Sequence, residues 1–145
     1  MEDKNKEEAL VRVLVYSGAT LPKSYINLIK TRWVRSYRKD NDYMRIIHPP
    51  SYYFAYNNYV TNILRRVNSV VMLAVLDDDE DVVLGFSVTE GKNILHYVHV
   101  PKSYRHQRIA TMLVPETIDW ITHITKIGLR LWSLKLPNAK LNPFI

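Results

Sequence analysis

Residues 97–113, YVHVPKSYRHQRIATML, decide how this chain folds and what it can bind. Alternating apolar residues predict a strand that ends at Pro101, and a basic, hydrogen-bonding turn follows it. Small and apolar residues then predict a helix from about Arg105 to Val114, which Pro115 ends because proline lacks a backbone N–H group. A strand, a basic turn and a helix form the arrangement that binds phosphate groups at a helix N-terminus. The alternative is a plain strand-to-helix connection with solvated arginines.

A meander of three strands leads into this stretch. The strands are predicted at 70–76, 82–88 and 94–100, each rich in β-branched or aromatic residues. They are separated by the polar turns DDDED (77–81) and EGKN (90–93), which suit solvent. Because the strands follow one another through short turns, we expect a mostly antiparallel sheet.

The rest of the chain predicts the elements around this meander. Before it come a strand, an amphipathic helix, a loop that contains prolines and a second helix, at 11–17, about 22–38, 40–56 and 54–67. After it come a strand, a short helix and a final short strand, at 118–125, 126–136 and 139–145. This order predicts a single domain over residues 1–145, of mixed α/β class, in which helices cover a sheet.

Composition excludes several classes of protein. Hydrophobic residues make up 47% of the 145 residues, which is enough for one core and excludes a disordered chain. The sequence has no cysteine, so it has no disulfide framework, thiolate metal site or cysteine nucleophile. No apolar signal segment follows the charged N-terminus, and no apolar run is long enough to span a bilayer. We therefore expect a cytoplasmic protein with no membrane partner.

Positive charge is concentrated in one early segment. The net charge is +6 and the pI about 9.5, which favours anionic partners such as nucleic acid, phosphorylated cofactors or acidic proteins. Arginines interleaved with Trp33 and Tyr37 are typical of a helix that follows a phosphate backbone and stacks on bases. A solvated basic face over an aromatic core face explains the same residues. Between 23 and 45, only Asp40 and Asp42 oppose seven basic residues: Lys23, Lys30, Arg32, Arg35, Arg38, Lys39 and Arg45.

The order of elements and the loop after the fourth strand resemble the GNAT superfamily of acyl-CoA-dependent N-acetyltransferases. The signature of that family, Arg/Gln-x-x-Gly-x-Gly/Ala, lies between a strand and a helix. Here Arg105-His106-Gln107-Arg108-Ile109-Ala110 matches its first and last positions, and Arg108 replaces the glycine. The order of elements covers nearly the whole chain, whereas the motif covers about 95–114. The ending, THIT, a short helix and LNPFI, also resembles small phage-encoded members, which implies a host cytoplasm.

This resemblance implies acetyl-CoA as the co-substrate. It places main-chain hydrogen bonds to pantetheine at Val98, His99 and Val100, in a slot where the fourth and fifth strands separate. Free backbone N–H groups and the positive end of a helix also favour a pyrophosphate at the loop. Arg108 brings a Cβ atom that glycine lacks, but it can adopt the helical angles of the predicted helix, and its side chain either pairs with a phosphate or keeps the phosphate out. The cofactor-binding loop would comprise Arg105, His106, Gln107, Arg108, Ile109 and Ala110.

His96 is the candidate catalytic base. Counting back from Arg105, it lies where arylalkylamine-type acetyltransferases place a histidine, and histidine titrates near neutrality. Strand alternation puts His96, with Ile94, Val98 and Val100, on one face and Leu95, Tyr97 and His99 on the other. The alternative role for His96 is a buried, hydrogen-bonded strand histidine. His123, on the predicted fifth strand, either lines the slot or packs in the core.

Other active-site features are missing from the sequence. The resemblance implies a tyrosine acid on the helix after the fifth strand, but that helix has Trp132 and Ser133 and no tyrosine. His96 and His99 point to opposite faces of a strand with no carboxylate evident beside them, so we predict no metal site. The motif Gly-x-Ser-x-Gly does not occur, so no serine hydrolase is predicted.

Three functions follow from these patterns. The first is an acetyl-CoA-dependent N-acetyltransferase whose acceptor is an amine or protein of unknown identity. The second is a catalytically inactive GNAT-fold interaction module, such as a phage effector that binds a host protein, motivated by Arg108 and the missing tyrosine. The third is a basic nucleic-acid-binding module.

Overall fold

A six-stranded sheet is the framework of the structure, a computed structural model that describes residues 10–105 and 107–145. In chain order the strands are β1 Val11–Ser17, β2 Ser69–Leu76, β3 Asp79–Glu90, β4 Ile94–His99, β5 Trp120–Ile121 and β6 Lys140–Leu141. They lie side by side in this order, antiparallel from β1 to β4 and parallel from β4 to β6. The predicted meander and the mostly antiparallel mixed sheet are confirmed.

Helices cover both faces of this sheet. They are α1 Lys23–Asp40, α2 Asp42–Arg45, α3 Pro49–Leu64, α4 Ile109–Leu113 and α5 Lys126–Lys135. Along β2, Leu73 and Val75 lie in the core cluster formed with α1 and α3, whereas Ala74 lies in the cluster with Ile109 and Leu113 of α4. Because neighbouring side chains of a strand point to opposite faces, α1 and α3 cover one face and α4 the other. Among the described residues, no helix is long and apolar enough to cross a membrane.

The segment predicted as a loop at 40–56 is largely helical. The Asn41 side chain caps α2 by accepting hydrogen bonds from two backbone N–H groups. The next helix, α3, begins at Pro49, where a proline loses no helical hydrogen bond. The loop prediction was wrong because the two prolines start a helix instead of interrupting the chain. The helix predicted at 54–67 therefore begins earlier, and it ends at Leu64.

The helix predicted from Arg105 to Val114 is shorter than expected. Residues Lys102–Tyr104 form a 3-10 turn, and α4 begins only after Arg108. Arg108 has φ 62° and ψ 16°, which is the left-handed region and cannot lie inside a right-handed helix. The expectation that Arg108 adopts right-handed helical angles is therefore wrong.

The strand predicted at 118–125 is reduced to the two residues of β5. The chain leaves the sheet soon after Ile121 because Thr125 is the N-cap of α5. Its hydroxyl oxygen accepts a hydrogen bond of 2.8 Å from the backbone N–H of Gly128. The final strand predicted at 139–145 is likewise reduced to the two residues of β6.

A β-bulge at His96 changes the predicted facing of β4. Val88 of β3 pairs with Tyr97, and the next residue, Thr89, pairs with Leu95, so His96 is an extra residue in the ladder. The predicted alternation put Leu95 and Tyr97 on one face, but they belong to different core clusters on opposite faces. Tyr97 packs with α1 and α3, and Leu95 packs around the end of α5. The predicted alternation was wrong because the extra residue of the bulge shifts the pattern by one. Side chains before and after the bulge therefore do not share the faces that strict alternation assigns to them.

Candidate functional site

A slot opens in the sheet where β4 and β5 separate. The two strands pair at Ile94–Trp120 and Leu95–Ile121, and a last hydrogen bond of 3.1 Å joins the N–H of Thr122 to the carbonyl of Leu95. Beyond this point β4 continues while the other chain turns toward α5. The separation of the fourth and fifth strands, which the resemblance implied, is confirmed by this register. The far half of β4 thus presents a backbone edge without a neighbouring strand.

A cleft of about 620 Å³ occupies this opening. Its apolar wall is formed by Ile127, Leu131 and Leu134 of α5. Gln107 is exposed and does not line the cleft, and His106 lies outside the described residues. The structure brings seven of the predicted cofactor-binding residues to this one cleft: Val98, His99, Val100, Arg105, Arg108, Ile109 and Ala110.

The outer end of the cleft, defined here by Arg105 and Arg108, is basic. The Nε of Arg105 donates a hydrogen bond of 2.9 Å to the carbonyl of Val100, which ties the loop to β4. Arg108, at the position of the signature glycine, takes the left-handed conformation that glycine adopts freely. An arginine in that conformation costs roughly 1–2 kcal/mol. The loop therefore keeps a backbone shape that suits glycine and adds a cation to the cleft.

His99 lies along the cleft, and its ring is near that of Phe86, with centroids 5.7 Å apart. Burial, together with the nearby charges of Arg32 and Arg105, lowers the pKa of His99 to about 4. Because the imidazole of His99 is neutral near pH 7, it adds no positive charge to those of Arg32 and Arg105. The predicted cofactor contact at His99 is therefore a contact with an uncharged side chain and its backbone.

The inner end of the cleft adjoins a cavity of about 30 Å³, and both are lined by Tyr97, Val98, Thr125, Gly128 and Leu131. His96 and His123 line this small cavity and do not line the larger cleft.

A continuous chain of hydrogen bonds runs behind the cleft through His96. The Nε2 of His96 is 2.8 Å from Oε1 of Glu90, which Arg66 also contacts at 2.8 Å. The Nδ1 of His96 is 2.9 Å from Oγ1 of Thr122, and that hydroxyl is 2.8 Å from Nδ1 of His123. We call the set Glu90, His96, Thr122 and His123 the inner relay. It joins the small cavity to a partly exposed carboxylate, since Glu90 keeps 23% of its side chain exposed.

The charge states of the inner relay follow from its burial. Burial lowers the pKa of His96, although Glu90 acts in the opposite direction, and burial lowers the pKa of His123 to about 3. Burial alone would raise the pKa of Glu90, but hydrogen bonds from His96 and Arg66 outweigh it and leave that pKa below its usual value. At pH 7 the histidines are thus neutral and Glu90 is ionised.

These charge states fix the direction of each hydrogen bond. His96 donates its Nε2–H to the Glu90 carboxylate, because an ionised carboxylate only accepts. Its Nδ1 then accepts from the Thr122 hydroxyl, and His123 donates its Nδ1–H to the same hydroxyl oxygen. The Nε2 of His123 is left as the acceptor at the far end of the inner relay.

The sequence identifies two residues of the inner relay, His96 and His123, but not the hydrogen bonds that join them. Glu90 falls in the predicted solvated turn EGKN, and Thr122 carries no signal of its own. The five aromatic rings around His123 were also missed as a group, because they come from α1, α3 and β4. Their centroids lie 5.0–6.3 Å from the His123 ring, and they belong to Trp33, Tyr37, Tyr56, Tyr59 and Tyr97.

The aromatic residues of α1 belong to the core. Trp33 is fully buried and stacks on Tyr97, with centroids 5.0 Å apart and an interplanar angle of 4°. Tyr37 is also buried, and Arg32 donates a hydrogen bond of 3.0 Å to the carbonyl of Val83. The prediction that Trp33 and Tyr37 stack on bases is therefore wrong, and the basic face over an aromatic core face is confirmed.

The position expected for a tyrosine acid holds structural residues. Trp132 of α5 donates its indole N–H to the carbonyl of Ala139 at 2.8 Å, and Ser133 bonds within its own helix. Within residues 10–105 and 107–145, no three His, Cys, Asp or Glu side chains are grouped as metal ligands would be.

The solved structures that this fold resembles include acetyltransferases. A protein of Pyrococcus furiosus assigned as an acetyl transferase has a TM-score of 0.54 at 14% identity, over 90% of this chain and 79% of that one. The aminoglycoside acetyltransferase meta-AAC0020, from an uncultured soil metagenomic sample, was solved with trehalose and with sisomicin. The trehalose complex has a TM-score of 0.52 at 13% identity, over 90% of both chains. The sisomicin complex has a TM-score of 0.51 at 12% identity, over 97% of this chain and 93% of that one. No protein-family model and no curated protein sequence matches the chain.

The strand order, the separation of β4 from β5 and these neighbours define the class. The chain has the GNAT acetyltransferase fold, with a mixed six-stranded sheet and helices on both faces. Identities of 12–14% show the fold, and the chemistry has to be argued from the site.

Proposed function

We propose that this chain is a single acetyltransferase domain that uses acetyl-CoA to acetylate an amine. The observation that carries the proposal is the cleft between the separated ends of β4 and β5. One of its walls is a free strand edge, another is apolar, and its outer end is basic. The assignment of the structural neighbours as acetyltransferases supports it.

The chemistry of the cleft fits acetyl-CoA. The backbone groups of Val98 and Val100, along the free edge of β4, can form hydrogen bonds with the amide groups of pantetheine. A peptide that adds a strand to a sheet edge binds in the same way. Arg105 and Arg108 suit the pyrophosphate as cations, and Ile109 and Ala110 line the cleft beside them. Bound there, acetyl-CoA supplies a thioester whose carbonyl carbon an amine can attack.

The inner relay accounts for the proton that the amine must lose. In the transfer, the amine nitrogen bonds to the acetyl carbon, the carbon–sulfur bond breaks, and one proton leaves the nitrogen as a thiolate departs. The proton leaves the cleft through the small cavity that adjoins it, where His123 lies. His123 accepts it at Nε2 and gives its Nδ1 proton to Thr122, Thr122 gives its hydroxyl proton to His96, and His96 gives its Nε2 proton to Glu90. His96 therefore acts as the base through Thr122 and His123, without touching the substrate.

Isothermal calorimetry with acetyl-CoA tests the cofactor proposal. We expect saturable binding below about 1 mM, the upper end of usual enzyme KM values. Arg105→Ala should weaken binding about tenfold because it removes a charge-assisted contact and the tie between loop and β4. Lys140→Ala, an exposed change on β6, is the control and should leave binding unchanged. Absence of heat at millimolar acetyl-CoA would contradict the proposal, and binding without turnover on any amine would favour the inactive interaction module.

A further inference from the structure

A second, strongly basic cleft lies beside the first one. It has a volume of about 440 Å³ and is open to solvent. Its lining contains five cationic side chains, Arg35, Arg38, Lys39, Arg45 and Lys126, together with Tyr53 and the single acidic residue Asp40. We call it the basic cleft.

Three helices place these cations around one space. Arg35, Arg38 and Lys39 lie on one side of α1 because their spacing is i, i+3 and i+4. Arg45 ends α2, and Lys126 begins α5. Like charges brought together from separate elements repel one another, so a ligand that carries negative charge relieves this repulsion.

The nearby protein groups neutralise only part of this charge. Asp42 contacts both Arg45 and Lys126 at 3.0 Å, but all three side chains are more than half exposed, where ion pairs are weak. Arg38 donates to the backbone carbonyls of Arg45 and Ile47, which orients its guanidinium group and leaves its charge in place. Among the described residues, no carboxylate forms an ion pair with Arg35, Arg38 or Lys39.

Asp40 connects the basic cleft to the acetyl-CoA cleft. It is the last residue of α1, it is half-buried, and it lines both spaces. A carboxylate attracts an ammonium group rather than an anion, and Asp40 is the acidic side chain in the lining of the basic cleft. Because Asp40 also lines the first cleft, an ammonium group held by it lies where the two clefts meet.

On the basis of the acetyl transfer proposed above, we infer that the acceptor is an amine flanked by carboxylate or phosphate groups. The anionic groups bind in the basic cleft, and Asp40 attracts the ammonium group at the entrance to the first cleft. The ammonium group loses one proton to solvent there, and the neutral amine loses the second proton during the transfer. The same charges disfavour polycationic acceptors such as sisomicin, with which a structural neighbour was solved. The acceptor class of this chain thus differs from that of an enzyme with the same fold.

The test compares two peptides that differ only in the charge beside the amine, with two small amines as further probes. The probes are an end-blocked peptide with a lysine between glutamates, the same peptide with arginines in place of the glutamates, phosphoethanolamine, and sisomicin. Binding is measured by calorimetry with CoA present, and acetylation by mass spectrometry with acetyl-CoA. We expect the glutamate peptide to bind at least about tenfold more tightly than the arginine peptide, and less tightly as salt rises. If phosphoethanolamine is acetylated more efficiently than the glutamate peptide, the anionic group of the acceptor is identified as phosphate.

Matched variants locate the binding. The exposed pair Arg35→Glu/Lys39→Glu should weaken binding of the glutamate peptide at least about tenfold and leave acetyl-CoA binding unchanged. Lys23→Glu makes an exposed change of the same sign at the other end of α1 and should change neither. Asp40→Asn should weaken binding of the lysine peptide but not of a peptide with norleucine in place of the lysine. Circular dichroism confirms that each variant is folded.

The outcomes separate this inference from the proposed function. Equal binding of the two peptides, or preference for the arginine peptide or sisomicin, overturns the inference even where acetyl transfer is observed. Binding of an oligouridylate more tightly than any amine also overturns it, in favour of a nucleic-acid surface. If the glutamate peptide binds selectively and acetyl-CoA does not bind, the anion-selective cleft is supported and the proposed acetyltransferase function is contradicted.

Discussion

The two ends of the cleft between β4 and β5 are built in different ways. The inner end adjoins the inner relay, whose histidines are buried, neutral and fixed by hydrogen bonds. The outer end is a basic loop, in which Arg108 is exposed and has a left-handed backbone. A buried polar chain tolerates little change because every unpaired group is costly, whereas an exposed loop tolerates substitution. Changes at the inner end should therefore have larger effects than changes at the outer end.

The largest effect is expected from Thr122→Val, which removes the hydroxyl that joins the two histidines. Proton transfer would be interrupted, so turnover should fall about 100-fold or more while acetyl-CoA affinity stays within about twofold. Two buried ring nitrogens also lose their partner, which should lower the free energy of unfolding by about 1–3 kcal/mol. The measurements are steady-state kinetics, calorimetry and chemical denaturation.

Thr122→Ser is the matched control because it keeps the hydroxyl. It should retain turnover within a few-fold of the unmodified protein. Equal turnover of the valine and serine variants would show that the inner relay is structural and carries no proton.

The second-largest effect is a loss of stability at low pH, which is caused by His123 at the inner end. The pKa of His123 is about 3 in the fold, because the side chain is only 8% exposed. In the unfolded chain it is about 6.5. Below pH 6.5 the unfolded chain binds a proton that the folded chain does not. The free energy of unfolding should therefore fall with decreasing pH by about 1.4 kcal/mol per pH unit for this residue, until about pH 3.

Urea denaturation between pH 7 and pH 4.5 measures this slope. His123→Phe keeps an aromatic ring but cannot titrate, so its stability should depend less on pH. His48→Asn, at an exposed position, is the control and should keep the full slope. A slope that is the same in all three proteins would contradict a buried, neutral His123.

The smallest effect is expected at the outer end, from Arg108. Arg108→Gly relieves the left-handed backbone and should raise the free energy of unfolding by up to about 1 kcal/mol. Arg108→Val retains the strain and adds a β-branched side chain, so it should lower stability by about 1–2 kcal/mol. Arg108→Lys keeps the charge and separates the electrostatic from the backbone effect in acetyl-CoA titrations. Equal stability of the glycine and valine variants would contradict the left-handed conformation.

The same two ends differ in how well the sequence predicts them. The outer end lies within one contiguous stretch, YVHVPKSYRHQRIATML, so its strand, basic turn and helix could be predicted from local pattern. The inner relay combines residues from β3, β4 and the segment after β5, which only the sheet register brings together. The bulge at His96 has no sequence signature, and it turned an apparently clear alternation into a wrong assignment of faces.

The predicted helix boundaries were wrong for a related reason. The prolines at 49 and 50 are compatible with a loop and with a helix start, and here they occupy the first two positions of α3, after the N-cap His48. Arg108 carries no residue-type signal for a left-handed backbone, since arginine rarely adopts it. The order of the elements was predictable because it depends on hydrophobic patterns many residues long.

The most direct test of the central claim is amide NMR spectroscopy of the ¹⁵N-labelled protein during titration with acetyl-CoA. The account predicts that the largest shifts occur at the free edge of β4, from Val98 to Val100, and in the loop from Arg105 to Ala110. Amides of β1 and β2 on the far side of the sheet should stay unchanged. Shifts confined to the basic cleft around Arg35 and Lys39, or no shifts at millimolar acetyl-CoA, would contradict binding between the separated strands.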